Sequence, residues 1–475
     1  MSVIITKKDV IWSYIGNFFG IASGMITLPV ILHMLSAQEI GMNYIMLSVG
    51  ALVQLCDCGF VTQFGRNITY VLSGSQSLQK DGVLTTCNNS VDYHLLAVLI
   101  KTAQFVYKRL SLLVLFFLLT FGTLYMYHVT SAFTTVERSL QIWLLYAVSM
   151  YFNLYFLYYN ALLTGAGMIV ESKKAMIFAK IMQIFITFLL LYLNFGLLSV
   201  VLANLISPFL SRWYSYRVFF TGKIKETFSE SVVAKEEIKE LFKTIWFSTK
   251  KLGLNSIGGY ISAQSGIFLS GVYLSLQDVA SYGLMQQIFT ILGGVATTLV
   301  ATYQPQFCKY RVKGDISSLL KDFSLSMMVC YLIIIVGGVS VLLLGPSLLV
   351  LIKSQSSLPA SYVIGIFLIQ TLLHNNHAQF AQLIVTGNKI PFVKASLISG
   401  AFMIILNFVF LRYTSMGILG LVLSPFIVES AYNHWRWCIW IFKEFKISFL
   451  DFLRIGFNEC VSVTIQRICI AKGSM

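Results

Sequence analysis

The sequence is poor in charge and in proline. Only 11% of its 475 residues are charged, 57% are hydrophobic, and 7 are proline. A soluble domain of this length exposes more charge and has no interior large enough for so many apolar side chains. The composition therefore excludes an ordinary soluble globular protein and indicates a chain whose surface faces lipid.

Several signatures of chemistry are also missing from the sequence. No GxxxxGK[ST] loop occurs that could hold a nucleotide phosphate, and no Ser-His-Asp or paired-carboxylate arrangement stands out. The 8 cysteines imply no disulfide framework, and no histidine or third cysteine lies near Cys56 and Cys58 in sequence. We therefore predict no cofactor, no metal and no enzymatic activity.

Long apolar segments alternate with polar connections along the chain. A spanning helix needs about 20 mostly apolar residues, and helices are the plausible spans because hydrocarbon offers no partner to an open backbone. We predict an all-α polytopic membrane protein with twelve transmembrane helices. Their ranges are 10–35, 42–66, 102–127, 139–163, 175–194, 197–220, 252–274, 279–303, 323–345, 359–385, 391–411 and 415–442.

Lysine and arginine are unevenly divided between the two sides of these spans. Of the 34 basic residues, only Arg138, Lys353 and Arg412 fall on the outer side. Because cytoplasmic connections carry the excess of lysine and arginine, this bias predicts that both termini are cytoplasmic. The net charge of +15 follows from the same bias and from contact with anionic lipid, so nucleic acid is not a predicted partner.

The two halves of the chain echo each other in the same order. The paired segments are LSAQEI (35–40) with LSLQDV (274–279), LTG (163–165) with VTG (385–387), GLLSVVL (196–202) with GILGLVL (417–423), and SPF (207–209) with SPF (424–426). Weak internal symmetry in an apolar chain is typical of a transporter built from two bundles with its substrate site between them.

Symmetry and spans together predict four regions. They are a first lobe at 1–220, a cytoplasmic linker at 221–251, a second lobe at 252–442 and a cytoplasmic tail at 443–475. The linker is rich in lysine and glutamate. The tail alternates apolar with charged residues, as an amphipathic helix at a membrane surface does.

Two acidic residues inside spans are candidates for ion coupling or gating. Ionisable side chains in a bilayer are costly unless they line water or have a partner. Glu429 lies near the middle of the twelfth span, no opposite charge lies within one turn of it, and it is the first candidate for ion coupling. Asp57 in the second span is the other candidate, and its alternative role is to fasten helices together.

Basic residues toward the cytoplasmic ends of the spans predict an anion-binding cavity. Guanidinium and ammonium groups supply the donors that a pyrophosphate needs. Arg212 lies deepest. The further candidates are Arg66, Lys180, Arg217, Lys250 and Lys251. For Arg217, Lys250 and Lys251 the alternative is ordinary anchoring at the interface.

The tenth span carries an unusual polar run, HNNHAQ at 374–379. Such a run is unfavourable against lipid, so we predict a wet wall that hydrogen-bonds sugar hydroxyls, formed by His374, Asn376, His377 and Gln264. His374 and His377 lie one turn apart and could share a metal. No further ligand lies near them in sequence, so the predicted role is hydrogen bonding.

Loose motifs extend over nearly the whole chain. They are LP (28–29), LSAQEIG (35–41), CDCGF (56–60), RNI (66–68), YNALLTG (159–165), GLL (196–198), KLG (251–253) and DVASY (278–282). They resemble the polysaccharide flippases of the MOP superfamily, in particular the O-antigen (Wzx-type) translocases of bacteria, whose Asp-x-Gly pattern is close to CDCGF. The resemblance implies a MOP/MATE-like fold with two pseudo-symmetric six-helix lobes.

The resemblance also implies a function. Such a flippase moves undecaprenyl-diphosphate-linked oligosaccharide, a repeat unit of O-antigen lipopolysaccharide or another surface polysaccharide, across the bacterial inner membrane. We expect alternating access driven by H+ or Na+, because no nucleotide site is present. Expected partners are the lipid-linked oligosaccharide, membrane lipid and other polysaccharide-assembly proteins.

Two alternatives stay open at this point. One is a MATE-type multidrug or cation antiporter, although the first span at 10–35 contains no acid of the kind that often binds cations in that family. The other is a membrane-embedded polysaccharide polymerase or ligase. Such an enzyme would be expected to carry catalytic groups in a sizeable outer loop, and the sequence predicts none.

Overall fold

A computed structural model describes residues 7–72, 74–75, 77–78, 91–230, 233–387 and 391–473 of the chain. These residues form helices and their connections, and no strand occurs among them. The chain divides into two compact units, which are Met1–Tyr260 (unit 1) and Ile261–Met475 (unit 2).

The helices of unit 1 follow one another with short connections. In chain order they are α1 (Lys7–Met34), α2 (Ala37–Leu55), α3 (Phe60–Leu72), α4 (Tyr93–Phe117), α5 (Thr123–Val129), α6 (Ser139–Tyr155), α7 (Tyr158–Gly165), α8 (Ile169–Tyr192), α9 (Leu198–Phe219) and α10 (Gly222–Glu230). A π-helical turn, Leu118–Gly122, joins α4 to α5. Within this unit, α8 packs along α9 and α1, and α6 packs along α4 and α9.

One long helix, α11 (Lys235–Tyr273), begins in unit 1 and ends in unit 2. The remaining helices belong to unit 2. They are α12 (Leu276–Lys313), α13 (Ile316–Leu351), α14 (Ser361–Val385), α15 (Val393–Tyr413), α16 (Ile418–Ala431), α17 (Asn433–Phe445) and α18 (Phe449–Gly473). The segment predicted as a linker, 221–251, forms α10 and the first part of α11, which continues unbroken into the predicted seventh span.

Each of the twelve predicted spans coincides with one helix, part of one helix, or consecutive helices. Six helical segments of the described residues are long and apolar enough to cross a membrane; one of them joins α4 to α5 and another joins α6 to α7. A seventh span is added if the bent pair α2 and α3 counts as one. Large apolar side chains such as Phe116, Phe121 and Leu343 are exposed, as expected where the solvent is lipid. The prediction of an all-α, multi-pass membrane protein is confirmed.

The echoed segments occupy equivalent places in the two units. The Ser36 hydroxyl accepts the backbone N–H of Glu39 at 3.2 Å where α2 begins, and the Ser275 hydroxyl accepts that of Asp278 at 3.1 Å where α12 begins. A serine at this place satisfies an N–H group that the helix itself leaves unpaired. The first sequence echo is therefore a repeated helix cap.

The later echoes also match in structure. Gly196 has a φ of 57° just before α9, and Gly417 has a φ of 51° just before α16. Pro208 lies inside α9 and Pro425 lies inside α16. The two halves thus repeat the same sequence of cap, turn and proline, as the prediction of two pseudo-symmetric lobes requires.

An aromatic core holds one end of unit 2 together. Phe307, Phe323, Phe380 and Phe452 are completely or almost completely buried against one another, and they come from α12, α13, α14 and α18. Burying one such side chain stabilises a fold by about 1.5–3 kcal/mol. The predicted tail at 443–475 therefore contributes to this core through α18, rather than only covering a membrane surface.

Candidate functional site

A polar cluster lies inside unit 2, where α14 meets α16 and α17. Glu429 of α16 is only 4% exposed. Its Oε2 atom lies 3.0 Å from Nδ1 of His374, 3.1 Å from Nε2 of His434 and 2.9 Å from Nε2 of Gln370. Because an ionised carboxylate only accepts hydrogen bonds, each imidazole presents an N–H group to it. Sequence spacing leaves Glu429 without a partner, but the fold supplies three.

Helical spacing on α14 provides one side of this cluster. Gln370, His374 and His377 follow one another at intervals of four and three residues, so they share one face of the helix. His377 is buried, and its Nδ1 lies 3.2 Å from the carbonyl oxygen of Leu373. The ring centroids of His374 and His377 are 5.0 Å apart.

A helix break provides the other side. α16 ends at Ala431, and Tyr432 has a φ of −145° and a ψ of −53° before α17 begins. On a continuous helix, two residues five positions apart point in different directions, since each residue turns the helix by about 100°. The break lets His434 reach Glu429, and Nδ1 of His434 lies 3.1 Å from the hydroxyl of Ser430.

Three members of the cluster meet the geometric requirement for a metal site. His374, His377 and Glu429 each offer one ligand atom, and these atoms lie within 4.8 Å of one another. The sequence shows only the histidine pair, because Glu429 lies 55 residues beyond His374. The fold therefore brings a third ligand to a pair that has none near it in the chain.

The other two predicted wall residues make no hydrogen bond to the carboxylate among the described residues. Asn376 accepts a hydrogen bond from the Tyr331 hydroxyl at 2.5 Å and donates one to the Cys438 sulfur at 3.1 Å, so it joins α14 to α13 and α17. Gln264 is half-buried on α11, and within the described residues no hydrogen bond links it to the cluster. Their predicted contact with sugar stays a prediction.

Asp57 lies in unit 1 at the break between α2 and α3, whose axes differ by 40°. Its carboxylate accepts the backbone N–H groups of Gly59 at 3.2 Å and Val61 at 3.3 Å, and it accepts the hydroxyl of Tyr107. These are the contacts of a helix cap that also ties α4 to the bend. They favour the fastening role that the sequence leaves as the alternative for Asp57.

Lys180 belongs to a series of hydrogen-bonded side chains inside unit 1. Its ammonium group donates to Oε1 of Gln183 at 3.0 Å, and Nε2 of Gln183 donates to Oδ1 of Asn204 at 2.5 Å. Asn153 then donates to the Asn204 carbonyl at 3.3 Å. These hydrogen bonds link α8, α9 and α6. In the part of unit 1 that is described, no carboxylate lies within ion-pair distance of Lys180.

Arg212, on α9, lies against aromatic rings from the segment of α6 and α7. Its guanidinium carbon is 5.0 Å from the ring centroid of Phe156, its guanidinium group is hydrogen-bonded to the hydroxyl of Tyr159, and Tyr155 and Tyr158 lie nearby. The side chain is exposed, and none of the ion pairs among the described residues includes it. A guanidinium that contacts an aromatic face and one tyrosine hydroxyl, without a carboxylate partner, still has N–H donors for an anion.

The remaining basic candidates have local surroundings. Arg66 is exposed and donates to Oε1 of Gln63 at 2.7 Å. Arg217 is exposed and lies 4.3 Å from the ring centroid of Trp213, as an interfacial anchor would. Lys250 and Lys251 lie on α11, but their side chains are outside what the structure describes.

Sequence reasoning misses three residues that the structure places in these sites. Gln370 carries a usable signal, since it lies one turn before His374 on the same helix face. His434 is hidden by the assumption that residues 415–442 form one continuous helix. Tyr107 has no signal at all, because 50 residues separate it from Asp57.

Comparison with known proteins gives matches at the level of structure. No protein family and no curated protein sequence matches the chain. It is similar to the lipid II flippase MurJ in an inward closed conformation, with a TM-score of 0.65 and 13% identity over 97% of this chain and 92% of that one. It is also similar to a multidrug resistance MATE family transporter of the MOP superfamily in its inward-facing conformation, with a TM-score of 0.59 and 12% identity over 90% of this chain and 96% of that one. Structural similarity at such low sequence identity shows the fold and nothing more. The fold is that of the MOP-superfamily transporters.

Proposed function

We propose that this protein is a flippase for a lipid-linked oligosaccharide in the bacterial inner membrane. Its substrate would be an undecaprenyl-diphosphate-linked unit of O-antigen or of another surface polysaccharide, moved outward by alternating access. The whole-chain likeness to a lipid II flippase supports a substrate that combines a lipid with a glycan.

The proposal rests mainly on the surroundings of Arg212. Its guanidinium lies beside Phe156 and three tyrosines with no carboxylate at ion-pair distance in the described structure. Such a group binds a diphosphate through charge-assisted hydrogen bonds, and aromatic rings beside it suit the faces of sugars. Lys180, without a carboxylate partner in the described part of unit 1, adds positive charge to the same unit.

Ion coupling is assigned to Glu429 in this proposal. The carboxylate is buried, and His374, which contacts it, is half-exposed on its side chain. An intramembrane carboxylate with this access is suited to take up H+ or Na+ during a transport cycle. Asp57 is the second candidate, and its capping contacts argue for a structural role first.

An antiporter for cationic drugs is the second candidate function. The likeness to a MATE transporter favours it. The first span contains no acid, however, and the net charge of +15 suits an anionic substrate better. A polymerase or ligase is favoured by no observation, because the two structures compared above are a flippase and a transporter, and the connection between α5 and α6 is short.

The experiment is deletion of the gene in its own bacterium, followed by analysis of the lipid-linked glycans. A flippase predicts that complete units accumulate in the inner leaflet and that surface glycan is lost, with both restored by the intact gene. Units that cross normally but stay unpolymerised would assign the enzyme role. Unchanged glycan together with altered drug susceptibility would assign the antiporter role.

A further inference from the structure

We propose that His374, His377 and Glu429 form a binding site for a transition-metal ion of the zinc class. The three residues converge from α14 and α16, and their ligand atoms lie within 4.8 Å of one another. Ligands around tetrahedral zinc lie roughly 3.4 Å apart, given bonds of about 2.0–2.1 Å. The ligand atoms of His374 and Glu429 lie 3.0–3.1 Å apart, close to this spacing, and that of His377 lies within 4.8 Å of both.

A backbone contact fixes the tautomer of His377. A carbonyl oxygen only accepts hydrogen bonds, so Nδ1 of His377 must carry the proton that it donates to Leu373. Its Nε2 then bears the lone pair that a metal requires. A histidine ligand whose other nitrogen donates to a backbone carbonyl is the usual arrangement in metal sites, since that contact fixes the tautomer and raises basicity.

The carboxylate of Glu429 is also held in position by hydrogen bonds. Oε2 of Glu429 accepts hydrogen bonds from Gln370 at 2.9 Å and His434 at 3.1 Å, and both residues are buried. Oε1 has His374 as its neighbour at 3.1 Å. Oε1 can therefore bind a metal while Gln370 and His434 hold the other oxygen in place. They act as positioning residues.

His374 provides the route of entry. Its side chain is 48% exposed, whereas that of Glu429 is 5% exposed. To bind a metal through Nδ1, the ring moves its proton to Nε2, which the exposed side of the ring permits. An ion therefore reaches Glu429 by first meeting an accessible imidazole, and a water molecule can complete the four ligands.

The donor set selects the class of ion. Two imidazole nitrogens with one carboxylate oxygen suit Zn²⁺, Co²⁺, Ni²⁺ and Cu²⁺, whereas Mg²⁺ and Ca²⁺ prefer oxygen ligands throughout. This inference does not depend on the proposed flippase function. A metal bound here would occupy the carboxylate that we assign to ion coupling, so it would act as an inhibitor if both proposals hold.

The test is a Co²⁺ titration of the purified full-length protein in detergent, followed by visible absorption and then by competition with Zn²⁺. We expect one equivalent of Co²⁺ to give the intense bands of four-coordinate cobalt, and Zn²⁺ to abolish them. His377→Ala and Glu429→Gln should each weaken binding at least about 10- to 100-fold. The matched control is His94→Ala, because His94 is an exposed histidine that contacts Glu237 in unit 1.

Two checks keep the outcome clear. Thermal unfolding without metal must show that each variant is folded, and His377→Gln is the second variant if His377→Ala is not. Absence of the visible bands, or equal binding by the wild type and a folded His377 variant, overturns the proposal. Loss of binding in His94→Ala also overturns it. None of these results bears on glycan transport, so failure here leaves the deletion experiment to decide the function.

Discussion

Charge inside a bilayer is expensive, and this chain stabilises two such charges by different means. Glu429 is buried among three N–H donors from Gln370, His374 and His434. Arg212 lies on the ring of Phe156 without a carboxylate partner among the described residues. The acid is thus already satisfied by the protein, whereas the guanidinium still has donors to offer. That difference suggests where an anionic substrate binds.

Arg212→Ala tests that assignment. Loss of a charge-assisted contact costs about 1.5–3 kcal/mol, which is about a 10- to 150-fold loss of affinity for a diphosphate lipid. We expect surface glycan to fall while the protein level in the membrane stays constant, measured by lectin binding and immunoblotting. Arg138→Ala is the matched control, because Arg138 is exposed and its ion pair in the described structure is with its neighbour Glu137. Unchanged glycan in Arg212→Ala would remove this residue from the substrate site.

Glu429→Gln tests the coupling role. The amide keeps the size of the side chain but removes its charge, so it cannot take up a coupling cation. In vesicles containing the purified protein, we expect flipping to proceed at the same rate with and without an ion gradient. Glu137→Gln is the control, since Glu137 is exposed in the connection between α5 and α6. Gradient-driven flipping at the normal rate in Glu429→Gln would reject the role.

The residues of the site were only partly accessible from sequence. Glu429, His374 and His377 are polar residues in apolar helices, and that mismatch alone identifies them. Their mutual contact could not be predicted, because it depends on the non-helical Tyr432 between α16 and α17. The contact between Asp57 and Tyr107 could not be predicted either, because the two residues lie 50 positions apart on different helices.

At the scale of helices and turns, one glycine shows how a connection constrains its neighbours. Gly196 has a φ of 57°, and a Cβ atom added there would lie 2.6 Å from Oε1 of Glu39. The same oxygen accepts the backbone N–H of Leu197 at 2.9 Å. The start of α9 is therefore held to the start of α2 by a contact that leaves no room for a side chain.

Gly196→Ala should consequently destabilise the protein more than a change of backbone preference alone would. The left-handed conformation costs about 1–2 kcal/mol for a residue with a side chain, and the clash with Glu39 adds to that cost. Gly222→Ala is the matched control, because Gly222 has a φ of 49° and nothing lies within 4 Å of an added Cβ. Thermal unfolding in detergent should show a larger drop in Tm for Gly196→Ala. Equal decreases in Tm for the two variants would show that the clash with Glu39 does not affect stability.

The start of α18 offers a prediction about pH. The Ser448 hydroxyl and backbone N–H donate to the Asp451 carboxylate, and these hydrogen bonds lower the pKa of Asp451. A lowered pKa means that the ionised carboxylate stabilises this turn above its unfolded pKa, and that the stabilisation is lost as pH falls through the lowered value. Ser448→Ala should raise the pKa of Asp451 toward its ordinary value, measured by NMR titration of labelled aspartate. The same value in Ser448→Ala and in the control Ser340→Ala would contradict this account.

Helix positions were the most predictable level of structure. The apolar segments placed all twelve spans on helices, because burial in lipid requires long uninterrupted apolar runs. The breaks inside spans were not predictable in the same way. The break at Asp57 replaces backbone hydrogen bonds by contacts to a side chain, and the apolar composition on either side of it does not change.

At the scale of the whole molecule, the distribution of lysine and arginine makes a prediction about orientation. Both termini should lie in the cytoplasm, since 31 of the 34 basic residues fall on that side of the predicted spans. A fluorescent reporter fused to the C-terminus should be active, because it folds in the cytoplasm. An epitope inserted between α5 and α6, after Thr134, should be labelled on intact spheroplasts. Labelling of that epitope only after permeabilisation would reverse the assigned orientation.

The two prolines that the halves share have one more consequence. Arg212 follows Pro208 by four residues, and Glu429 follows Pro425 by four residues. Phe152 and Tyr155 precede the first Thr-Gly pair by the same intervals as His374 and His377 precede the second. Equivalent positions of the two halves thus carry a cation beside aromatic rings in the first half and an acid beside imidazoles in the second. A hybrid made of two first halves should assemble, but it would have no acid at this position.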